Sequence, residues 1–113
     1  MKLFAALRQI RDFERGQLPF LKSIVDFDLI IEIGYAEEQD KPLTLKQILL
    51  LNLSSRTTVR RRLARLVEQG VVKRRANALD HRSSHLTISP TSLKVLGKYG
   101  VLLAATCALM SLN

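Results

Sequence analysis

The segment between Ser54 and Gly70 constrains the fold more than any other part of the chain. At 100° per residue, Val59, Leu63 and Leu66 fall on one stripe of a helix and require a core beneath them. The opposite face carries Thr57, Thr58, Arg61 and Arg65, with Arg60 and Arg62 on the flanks. Ser54-Ser55 supplies an N-cap, and Gly70 is placed as a C-terminal stop, so a helix is expected over Arg56–Gln69. Just upstream, Thr44 and Gln47 have the spacing of a capping box and open a short helix from Leu45 to about Leu51. Two helices a few residues apart, the second loaded with arginine, are the helix-turn-helix pattern.

The residues after Gly70 extend that pattern. Val71-Val72-Lys73 reads as a strand, and His85-Leu86-Thr87-Ile88-Ser89 alternates polar and apolar as a half-buried strand does. The polar stretch 76–84 between them lacks periodicity, so the two pieces predict a β-hairpin with a long tip. Upstream, residues 2–15 predict an amphipathic helix with Leu3, Leu7 and Ile10 on one stripe and Phe4 and Phe13 beside it, ended by Gly16. Pro19 suits the first turn of a second helix running to about Glu38, apolar on more than one side and hence central. Asp40-Lys41-Pro42 is a loop. Ser89-Pro90 opens a last helix that Gly97 and Gly100 kink or divide. The expected fold is mainly α with a small β-hairpin wing, a winged helix-turn-helix. It is read as one domain over 1–113: N-terminal helices in 1–38 for core and dimerisation, the winged helix-turn-helix in 44–89, and a C-terminal dimerisation helix in 90–113.

Charge says what this fold is for. From Arg56 to Arg82 nine basic residues face only Glu68 and Asp80, so this stretch holds +7 of the chain's net charge of +8. Such a basic patch points to a polyanion. The N-terminal half of the arginine helix would enter a DNA major groove. There the arginine fork fits the O6 and N7 edge of guanine, threonine offers a hydroxyl or a methyl, and flanking arginines reach phosphates. The helix N-terminus itself favours a phosphate.

The stretch from Leu43 to Ser89 resembles the winged helix-turn-helix of the MarR (multiple antibiotic resistance regulator) family, in a short variant. "SRTTVRR" resembles the opening of its recognition helix, "LVEQGVVKR" the helix end and first wing strand, and Asp80-His81-Arg82 the D-x-R motif of its wing. The resemblance implies a DNA-binding recognition helix with Ser55, Arg56, Thr57, Thr58, Arg60, Arg61, Arg62 and Arg65. It implies a DNA-binding wing with Arg75, Asn77, His81, Arg82 and Ser83, where Arg82 reaches the minor groove, and a wing held in shape by Asp80 and Arg74. It also implies a homodimer through the N- and C-terminal helices on a palindromic operator, acting in transcription regulation as a repressor. This chain departs from the family at Leu49, where a small residue is common, and at Leu53, where glycine is. Asn52 can supply the special turn conformation instead. Only 24 residues follow Ser89, so the C-terminal dimerisation region is abbreviated. A small-molecule effector is allowed by the resemblance, but no pocket motif is visible.

Other functions find less support. Asp80, His81, Ser83, Ser84 and His85 crowd onto one predicted hairpin, whereas a catalytic triad draws its members from separate rigid elements. His81 and His85 lack a third ligand, so no metal and no cofactor is expected. Asp26, Asp28 and Glu32 read as the polar edge of a helix, and no glycine-rich phosphate loop is present. The single Cys107 lies in an apolar run and reads as a small core residue. Aromatic residues make up 5% of the chain, with no stacking platform for RNA. Residues 1–15 show no secretory signal, and the apolar run Val101–Leu112 is shorter than the ~20 residues a bilayer needs, so a cytoplasmic protein without membrane attachment is expected. The alternative to a DNA-binding regulator is a winged-helix protein–protein interaction module without sequence-specific DNA binding. Such a module has no need of this much charge on helix and wing.

Overall fold

The computed structural model describes residues 1–76 and 84–111, and divides them into two compact units. One is built from Lys22–Ser89, the other from Met1–Leu21 together with the chain from Pro90 on. The elements are α1 (Leu3–Gln17), α2 (Ile24–Glu38), α3 (Leu45–Leu50), α4 (Arg56–Glu68), β1 (Val72–Ala76), β2 (Ser84–Ile88) and α5 (Pro90–Ser111).

In the first unit α2 starts later than Pro19 suggests. Ser23 and Asp26 form a capping box, Ser23 Oγ accepting from the Asp26 amide at 3.3 Å and the Asp26 carboxylate accepting from the Ser23 amide at 3.0 Å. That reciprocal pair satisfies amides a helix start leaves open, and proline at 19 cannot do so. α3 carries the same device, Thr44 with Gln47. After α3 the chain turns at Asn52 with φ of 54°, the left-handed conformation that asparagine tolerates. Gly70, at φ of 76°, closes α4.

Leu29 and Ile33 of α2, Ile48 of α3, Val59, Leu63 and Leu66 of α4, and Val72, Leu86 and Ile88 of the hairpin are all buried. β1 and β2 pair antiparallel, Val72 opposite Ile88 and Arg74 opposite Leu86. β1 runs on to Ala76, further than its apolar residues alone indicate, because the ladder continues through Arg75 opposite His85. The other edge of β2 is used as well. The Leu86 amide donates to the Leu43 carbonyl at 2.8 Å, and Thr44 bridges His85, so the residues entering α3 form a third rung of the hairpin's base. α2 holds this base too, because Glu37 accepts from the Ile88 amide at 3.1 Å.

In the second unit α1 packs on α5. Tyr99 donates its hydroxyl to Glu14 at 2.6 Å, and its ring meets Phe13 edge-on at 5.7 Å between centroids. Burial, then the hydrogen bond to Glu14, push the Tyr99 hydroxyl up to about 12. Much of this unit's apolar surface is bare: Phe4 is 79% and Val101 71% exposed, and Leu3, Leu7, Leu93 and Leu109 are exposed as well. Cys107 is also exposed, not a core residue, because it falls on the outer side of α5. Gly97 and Gly100 do not divide α5, which is one 22-residue helix. It therefore takes in Lys94 and Lys98, and the twelve-residue limit does not hold. Over Pro90–Met110, α5 is long and apolar enough to cross a membrane by length and composition.

Candidate nucleic-acid interface

α4 turns its apolar stripe inward as its spacing requires, and this fixes where every other side chain on it points. Ser55 caps the helix by accepting from the Thr58 amide at 3.2 Å, and donates its hydroxyl to Thr58 Oγ1 at 2.9 Å. Arg56, Thr57, Arg60 and Arg61 are exposed on the outer face. Three guanidinium groups and a threonine therefore stand on the first turns of a helix whose back is held by Val59, Leu63 and Leu66. A rigid, capped helix presenting such donors matches what a DNA groove demands.

Arg62 and Arg65 stand apart from this face. Both reach across to Asp26 of α2, whose side chain is 0% exposed. Arg62 donates through Nε to Oδ1 at 2.9 Å and through Nη2 to Oδ2 at 2.6 Å, a two-bond fork. Arg65 Nη1 donates to Oδ2 at 3.3 Å. The Lys22 and Ser23 amides complete the ring of donors at 2.9 and 3.0 Å. Burial alone would raise the Asp26 carboxyl, but the Arg62 hydrogen bond, the Lys22 amide and the charges of Arg62 and Arg65 outweigh it and hold it below the usual value of 3.8. Asp26 is thus the buried anchor of α4 and not the polar edge of α2. The reading of Arg62 and Arg65 as outward groups is corrected in the same way, since their exposures are 20% and 23%.

On the hairpin, Lys73, Arg74 and Arg75 of β1 are exposed, with Arg74 on the opposite face of the strand from Lys73 and Arg75. Asn77, Asp80, His81, Arg82 and Ser83 lie outside the described residues, as does the pairing of Asp80 with Arg74. No sequence motif signals an open groove of about 400 Å³ beside the second half of α2, where Glu32, Tyr35, Lys41 and Leu51 bring together an aromatic ring, an apolar side chain and both signs of charge.

Comparison with known proteins agrees with this geometry. The family model of the MarR family matches residues 22–83, just over half of the chain, starting where the first compact unit starts. No curated protein matches. Among solved structures, the DNA complex of MepR from S. aureus superimposes with a TM-score of 0.72 at 17% identity, over 91% of this chain and 76% of that one. The crystal structure of MarR gives 0.60 at 16% identity over 94% and 75%. The transcriptional regulator BldR from Sulfolobus solfataricus gives 0.55 at 19% identity over 90% and 70%. The helix-turn-helix, the antiparallel hairpin after it and the family match over both lead to one conclusion: the chain is a winged helix-turn-helix protein and belongs to the MarR family of transcription regulators.

Proposed function

We propose that this protein binds double-stranded DNA sequence-specifically and regulates transcription as a homodimeric repressor on a palindromic operator. The observation that carries the reading is the outer face of α4, where Arg56, Thr57, Arg60 and Arg61 project from a capped helix with a buried back. Arg61 reads a base edge in the major groove, while Arg56 and Arg60 hold phosphates. Arg75 continues the contact along β1, and the resemblance assigns Arg82 to the minor groove. One solved relative was crystallised with DNA, which supports the same partner here.

A second copy of this chain is the proposed cover for the apolar surface of α1 and α5, since single chains seldom leave this much exposed. A two-fold axis would set two α4 helices about one DNA turn, ~34 Å, apart. Sedimentation equilibrium at micromolar concentration should give a dimer, and a monomer would refute this part. Recovery of the full chain in the membrane fraction would instead assign α5 to a bilayer.

Selection of bound sequences from random duplex DNA tests the whole. The expected product is an inverted repeat with half-sites about one turn apart. No enrichment over the starting pool would reject sequence-specific binding and leave the protein-interaction alternative.

A further inference from the structure

On the reading of α4 as the DNA helix, we infer that Asp26 is a positioning and specificity residue: it withdraws Arg62 and Arg65 from the phosphate backbone and fixes the rotation of α4 on α2. Five arginines stand on α4, at 56, 60, 61, 62 and 65. Each arginine placed on a phosphate adds affinity without regard to sequence. Two of the five are committed to one buried carboxylate.

The carboxylate cannot follow them outward. Its Oδ2 is fixed to the start of α2 by the Lys22 and Ser23 amides, and α2 is bound to the hairpin base through Glu37 and the Ile88 amide. Pulling either arginine onto DNA would weaken the pairing of a charge that has no access to water, a strongly unfavourable exchange. Arg62 and Arg65 also sit one turn apart on the same side of α4, so their shared acceptor resists rolling of the helix about its own axis. A rolled helix would present different side chains to the bases. Asp26 therefore lowers sequence-independent attraction and holds Arg61 in register at the same time.

The test measures affinity for a random-sequence duplex and for the selected site between 50 and 200 mM salt, with circular dichroism confirming the fold of each variant. Asp26→Asn removes the charge that holds Arg62 and Arg65. Its log–log slope on random duplex should be steeper than the parent's by up to ~1.8 per protomer, ~3.6 for the dimer, at ~0.9 per phosphate, a loss up to about 150-fold larger across that salt range. Its preference for the selected site should fall. A merely structural role predicts a less stable protein with an unchanged or shallower slope, and that result would overturn the inference. Arg65→Gln and Arg60→Gln decide the matter even where Asp26→Asn fails to fold, since Arg62 still grips Asp26 in both. Arg65→Gln should keep the parent slope, and Arg60→Gln, which removes an arginine placed on a phosphate, should lose ~0.9 per protomer. Equal losses in the two would overturn the inference. A parent protein with no salt-dependent affinity for any duplex would defeat the underlying DNA reading, a result distinguishable from either.

Discussion

Replacing Asp26 with alanine should be among the most destabilising single changes in the unit Lys22–Ser89. The carboxylate accepts from the Lys22 and Ser23 amides, twice from Arg62 and once from Arg65. Removing one partner of a buried pair costs about 3–5 kcal/mol. Arg62 and Arg65 are about one-fifth exposed, so the stranded guanidiniums can turn to water, and the lower end, about 3 kcal/mol, is the better figure. Loss of the carboxylate's half of the capping box adds about 1 kcal/mol. The sum, about 4 kcal/mol, is a large part of the 5–15 kcal/mol typical of a domain. Asp26→Asn keeps an acceptor for the cap and should cost about 2 kcal/mol, the scale of hydrogen bonds to a charged group. Urea unfolding followed by far-ultraviolet circular dichroism suits a chain that has no tryptophan. The pH dependence adds a second check. The native carboxyl lies below its unfolded value of 3.8, so its stabilisation is complete above that value and is lost as pH falls through the native one. The gap between parent and Asp26→Asn should thus be constant from about pH 5 to 7 and shrink below about pH 4. An Asp26→Ala protein within about 0.5 kcal/mol of the parent would refute the reasoning, that being the spread expected of an inconsequential surface change.

Leu66, fully buried on the back of α4, should cost about 2–5 kcal/mol when cut to alanine, measured by the same urea titration. Arg61→Ala should leave stability within about 0.5 kcal/mol but weaken the selected site by about 1–3 kcal/mol and relax the base preference there, read by competition with single-base variants of the site. Val101→Asp places a charge on the exposed apolar side of α5 and should shift the sedimentation profile from dimer to monomer, with loss of affinity for an inverted repeat but not for a single half-site.

Local devices were the legible part of this protein. Thr44 with Gln47, Ser55 before α4 and Gly70 after it act over three or four residues, and each appears where its spacing predicts. Asn52 adopts the left-handed turn that its side chain allows and that glycine would otherwise supply. Legibility failed where the partner is distant in the chain. Nothing near Asp26 hints that Arg62, 36 residues on, completes it, so an acidic residue on an apolar helix looks like a solvent edge. Arg62 and Arg65 look like outward groups for the same reason, because periodicity separates core from non-core but does not tell water from a buried carboxylate. Pro19 and Ser23 compete for the start of α2, and the capping box of Ser23 prevails because it satisfies real donors. The extra rung from Leu43 and Thr44 onto β2 involves a loop with no strand pattern of its own. In α5 the two glycines lower helix propensity, yet nothing offers their neighbours a better arrangement, and the helix runs through.

A DNA-binding role for the basic outer face of α4, with β1 beside it, fixes how the affinity of the parent protein for its selected site must depend on salt. A dimer that sets Arg56 and Arg60 of each α4 and Arg75 of each β1 on phosphates should show a log–log slope of about −5, at ~0.9 for each phosphate neutralised. A flat response, with the same affinity at 50 and 200 mM salt, would contradict it.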